Sequence, residues 1–145
     1  MATPVESAEL ILRLYEIRRE PTMREARNFW FGFNPTSAQD YMNTVMGPNG
    51  AFVRMVSSYW DMACSFVVSG AIDANMFDAA NGEHIIVFAK VQPILADLRA
   101  IAGENAFKNL EKVCLSPPVG IERVNSTAER IRGFAQRMQA AASNS

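Results

Sequence analysis

The sequence predicts an all-α fold: a single-domain helical bundle of about six or seven helices around a central apolar helix at residues 51–72. Three observations predict it. Residues 51–72, AFVRMVSSYWDMACSFVVSGAI, are apolar around most of a helical circumference. The polar residues Arg54, Ser58, Asp61, Ser65 and Ser69 recur there at steps of three or four, which makes one narrow stripe. Elsewhere, apolar residues recur at i, i+3/i+4 and i+7 between Pro and Gly breaks. No β-hairpin pattern competes, because the β-branched runs Val67-Val68 and Ile85-Ile86-Val87 fall inside helical periodicities.

The first helix is expected over residues 4–19, with Leu10, Ile11, Leu14, Tyr15 and Ile17 as its apolar face. Pro21 disfavours helical geometry at Glu20, so a kink or break belongs there, with Pro21 near the start of a second helix. That second piece, residues 22–33, turns Met23, Ala26, Phe29 or Trp30, and Phe33 to one side. Its dense aromatics read as a core plug, with a partner-facing patch as the alternative. Gly32 and Asn34-Pro35 end it. A short helix carrying Tyr41, Met42, Val45 and Met46 follows, capped by Thr36 or Ser37 and stopped by Gly47-Pro48-Asn49-Gly50.

Beyond the central helix, Asp73 reads as a helix cap and Asn81-Gly82 as a helix-ending turn. A calcium loop starting at Asp73 fails, because its fifth, sixth and twelfth places hold Phe77, Asp78 and His84. Residues 85–101 form the next strong helix, and Pro93 should kink or split it. A shorter amphipathic helix is expected over 104–115. After Ser116-Pro117-Pro118, a last helix spans 120–142, with Ile121, Val124, Ala128, Ile131, Phe134 or Ala135, and Met138 on its face. The tail from about residue 139 is small and polar and should fray. The whole chain, 1–145, reads as one domain.

Composition bounds the function. Of 145 residues, 49% are hydrophobic and 20% charged, as in ordinary globular domains. A formal charge of −1 gives no case for nucleic acid, and the four arginines in residues 116–145 are too thin a patch to change that. Cys64 and Cys114 read as buried free thiols. His84 is the only histidine and reads as structural or solvent-facing, so neither a metal site nor a cofactor site is expected. No apolar run is long enough to span a bilayer. The N-terminus has neither the basic nor the apolar region of a signal peptide, so a cytoplasmic location is expected.

No phosphate loop, nucleophile elbow or histidine pair is present, so an enzyme is not the expected class. The expected function is non-catalytic binding or assembly, as a homodimer or with an unknown protein partner. The alternative is a small-molecule sensor or carrier, with an apolar ligand in a pocket beside the central helix, built from Arg54, Tyr59, Asp61 and Trp30. The structural reading of the same residues pairs a buried Asp61 with Arg24 or Arg27, because an unpaired buried carboxylate costs several kcal/mol.

Overall fold

A computed structural model describes residues 2–144. Nine α-helices occur among them: α1 (Pro4–Arg18), α2 (Pro21–Gly32), α3 (Ala38–Val45), α4 (Gly50–Val68), α5 (Ala74–Ala80), α6 (Glu83–Val91), α7 (Leu95–Ala102), α8 (Lys108–Cys114) and α9 (Gly120–Ser143). A 3-10 turn, Gln92–Ile94, links α6 to α7. The fold is all-helical, as the periodicity predicts. The larger helix count has two sources. The Asp73 cap starts a helix of its own, α5, and Pro93 splits residues 85–101 into α6 and α7.

The breaks follow local chemistry. Pro21 is the first residue of α2, and the Glu20 carboxylate in front of it accepts from the backbone N–H of Thr22 and Met23. Ser37 caps α3 through Asp40 N, and Asp73 caps α5 through Met76 N. The central helix stops at Val68 rather than Ile72 because Gly70 takes φ +84°. Gly70 N–H then donates to Val67 O and Ala71 N–H to Phe66 O, which closes a Schellman cap. α9 continues through the stretch expected to fray, where Ala140, Ala141 and Ala142 favour helix.

α4 lies at the centre, packed chiefly against α2 and α8, with α3 beside it. Val53, Val56, Trp60, Ala63 and Cys64 are sealed from solvent, while Arg54, Ser58 and Ser69 on the polar stripe are exposed. α6 is a second interior helix. Seven of its nine residues are buried, and it packs on α8 and α9. Trp60, Phe77 and Phe88 are the largest fully buried side chains. α1 departs from its expected face. It buries Ser7 and Leu14, while Leu10, Tyr15 and Ile17 are exposed. Three polar contacts hold it down: Tyr59 Oη donates to Leu14 O at 2.6 Å, Asp73 N donates to Ser7 Oγ at 3.0 Å, and Arg27 Nη1 donates to Arg18 O at 3.4 Å.

Candidate functional site

The structure disperses the residues expected to form a pocket beside the central helix. Arg54 is exposed and donates to Val45 O, at the C-terminal end of α3. Tyr59 is buried against α1 through its bond to Leu14 O. Trp30 is buried in an aromatic cluster, its ring 5.1 Å from Phe33 and 6.4 Å from Tyr41. Asp61 faces α8. These four side chains do not meet.

The expected pairing of Asp61 with Arg24 or Arg27 is corrected as well. Asp61 Oδ1 accepts from the backbone N–H of Asn109 and Leu110, each at 3.0 Å, and Oδ2 accepts from Asn109 Nδ2 at 3.1 Å. Asn109 and Leu110 are the second and third residues of α8. Phe107, at the position before that helix, has a left-handed backbone and no side chain able to cap. Asp61 therefore supplies from α4 the cap that α8 lacks, a role typically worth about 1 kcal/mol. Arg24 is exposed.

Arg27 is committed to Glu83 instead. Arg27 Nε and Nη2 grip the carboxylate, the shortest contact being 2.8 Å, and Trp60 Nε1 donates to Glu83 Oε1 at 3.0 Å. The Arg18 guanidinium lies 5.2 Å from the Trp60 ring centre, a cation–π contact. Glu83 thus ties α2, α4 and α6 together. Both partners are partly buried, with side-chain exposures of 27% for Arg27 and 17% for Glu83. Glu83→Ala strands the guanidinium and the indole N–H together. The expected cost is about 2–3 kcal/mol, below the full buried-pair range because water reaches both groups. Urea titration measures it, and a midpoint equal to the parent's contradicts this role.

The next residue, His84, is fully buried rather than solvent-facing. Its ring lies 4.9 Å from Phe77 and 5.6 Å from Trp60, and its Nε2 is 3.5 Å from Asp78 Oδ1. Burial holds the imidazole below its ordinary pKa, while His84 and Arg123 hold the Asp78 carboxyl below its own. Arg123 of α9 pairs with Asp78 at 3.1 Å, which fastens α9 to α5. No group of three His, Cys, Asp or Glu able to hold a metal occurs among the described residues.

The large concavity lies on the other side of α6. An open groove of about 990 Å³ runs between the C-terminal end of α2, α6 and the face of α9 that carries Arg123 to Gln139. Phe31, Ile85, Ile86, Ile131, Phe134 and Met138 are its main apolar walls. No α4 residue lines it, and none of Arg54, Tyr59, Asp61 and Trp30 does, so it is not the pocket expected beside the central helix. Helix lengths explain it. The 24 residues of α9 rise about 36 Å, whereas the nine of α6 rise about 14 Å. The apolar stripe of α9 outruns its support, which leaves Phe134 52% and Met138 57% exposed.

The polar groups of the groove are Lys90, Arg123 and Arg130 with neutral Asn34, Thr127 and Gln139. Lys90 is 8% exposed, and its Nζ donates to Trp30 O and, at 3.4 Å, to Phe31 O. It therefore sits at the C-terminal end of α2, where a cation complements the helix dipole. Burial pulls its pKa down to about 8. A small cleft of about 20 Å³ adjoins the groove beside Arg27, Trp30 and Glu83, room for about one water molecule.

The periodicity marks α9's apolar stripe but not the groove it borders, and Lys90 carries no signal of its own in the sequence. The usable signal was length: a 24-residue amphipathic helix exceeds every other helix of the chain. No helix among the described residues is long and apolar enough to cross a membrane. No curated protein and no solved structure matches the chain. Residues 3–116, which hold α1 to α8, match the family described as Domain of unknown function (DUF4760), and the chain belongs to that family.

Proposed function

We propose that this domain is a non-catalytic binding module, and that its site is the groove between α6 and α9. One observation carries the reading. About 990 Å³ of concave space has predominantly apolar walls, at the upper end of the usual size of small-ligand pockets. The lining contains no carboxylate, thiol or imidazole. Its chemistry is shape, apolar contact and positive charge, which serves recognition. The two free buried cysteines suit a reducing, cytoplasmic setting for this activity.

The test uses N-phenyl-1-naphthylamine, an uncharged dye that fluoresces in apolar surroundings. The expected result is saturable fluorescence at one dye per chain, weakened at least tenfold by Phe134→Glu. Phe134 is half exposed, so the substitution leaves the fold intact by circular dichroism. Saturable binding that Phe134→Glu does not change contradicts the groove as the site.

A second reading, self-assembly, is favoured by α1. Val5 and Leu12, seven residues apart on one helical face, are 68% and 62% exposed. A two-fold dimer burying that face through a second copy is expected to dissociate on Leu12→Glu in sedimentation experiments. A monomer at every concentration ends this reading.

A further inference from the structure

We propose that the occupant of the groove is an amphiphile with an anionic head, a long-chain carboxylate being the simplest member. This inference rests on the groove reading and adds the ligand's chemistry. Charge complementarity selects this head group. Every charged residue lining the groove is a cation, namely Lys90, Arg123 and Arg130, although the chain as a whole carries −1. The three cations differ in what already occupies them.

Arg123 is spent on Asp78 and on Val113 O. Arg130, one heptad along α9, donates to Thr127 Oγ1 at 3.1 Å and has no carboxylate within ion-pair distance among the described residues. Among the described residues Lys90 bonds only to backbone carbonyls, which leave its charge without an anionic side-chain partner there. Two under-neutralised cations therefore border an apolar trough. An anion held near either gains from it, and little water reaches the Lys90 end to screen the attraction.

The trough fixes the rest of the ligand. Ile131, Phe134 and Met138 follow one another at steps of three and four along α9, a track about 10 Å long. A flexible alkyl chain fits such an open track. Its burial takes apolar surface out of water, which favours binding. A cationic amphiphile would bring its charge to Lys90 and Arg130 and is rejected. A neutral one gains the track alone.

Competition against the bound naphthylamine dye tests this, with dodecanoate, 1-dodecanol and dodecyltrimethylammonium below their aggregation limits. Dodecanoate is expected to displace the dye at a concentration at least tenfold lower than dodecanol, and the ammonium analogue last. Arg130→Gln, at an exposed position, should cut that preference at least threefold with dodecanol unchanged, and Lys90→Met combined with it should abolish it. Equal potency of dodecanoate and dodecanol overturns the inference but leaves the apolar groove standing. Where the dye itself does not bind, dodecanoate is titrated directly by calorimetry. Absence of heat there, together with absence of dye binding, overturns the inference and the groove together. A dimer in native mass spectrometry that Phe134→Glu dissolves gives the groove to a second copy, and that also overturns the inference.

Discussion

Gly50→Ala is expected to destabilise the protein by about 3 kcal/mol or more, at the top of the range for overpacking. Gly50 opens α4 directly against the end of α3. A Cβ there would overlap the carbonyl oxygen of Val45 and stand 2.8 Å from its carbon. The obstacle is backbone, so no side chain can swing aside. α3 would have to separate from α4, which would also pull Tyr41 away from Trp30 and Phe33. Gly120 repeats the device at the start of α9, where a Cβ would lie 2.7 Å from Leu115 Cα. Gly32 and Gly82 have open space around the same position and serve as controls. Thermal melts of Gly50→Ala and Gly82→Ala measure the contrast. Equal melting temperatures for the two contradict the close approach of α3 and α4.

Alkaline pH should unfold the domain. Burial pushes the Tyr41 and Tyr59 hydroxyls up to about 12 from 10.0, pushes the Cys114 thiol to about 12 from 9.0, and raises Cys64 as well. A folded-state pKa above the unfolded value means that the native state holds its proton while the unfolded chain releases it. Stability from these groups is full below pH 9 and is lost as pH climbs towards 12. Lys90 has the opposite sign. Its folded value of about 8 lies below 10.5, so the unfolded chain binds the extra proton and stability rises from pH 8 to 10.5. Each unit is worth about 1.4 kcal/mol, so Lys90 roughly offsets the thiols up to about pH 9.5. Above that the tyrosines join in; Tyr41, Tyr59 and Cys114 set against Lys90 leave a net loss on the order of 6 kcal/mol by pH 12, and Cys64 adds to it. That is comparable to the whole stability of a small domain, about 5–15 kcal/mol. The guanidinium midpoint should stay level to about pH 9.5 and then collapse. Tyr41→Phe should carry the collapse to higher pH. A midpoint that is unchanged at pH 12 contradicts the burial of these four groups.

Local signals in the sequence translated directly into structure. Pro21, Pro93, Ser37 and Asp73 act through their own backbone or the next turn, so each break and cap could be placed from spacing alone. On the polar stripe of α4, Arg54, Ser58 and Ser69 are exposed as the periodicity requires, while Asp61 turns to α8. The failures share a cause, which is separation along the chain. Asp61 meets Asn109 across 48 residues, and Arg27 meets Glu83 across 56. Nothing in the composition of either neighbourhood selects those partners over nearer charges. α1 failed differently. Its apolar residues are spread around the helix, and tertiary packing buries Leu14, and Ile11 in part, while sealing Ser7 for its bond to Asp73. The groove depends on how far α9 overshoots α6, a relation between two helices that neither shows by itself.

Backbone amide NMR during titration with the naphthylamine dye tests the central claim most directly, because it reports where an apolar occupant sits. The groove account predicts shifts concentrated at Phe31, Gly32, Ile86, Lys90, Ile131 and Phe134, with Val5 and Leu12 of α1 unmoved. Shifts centred on α1, or spread evenly over the exposed apolar residues, would contradict it.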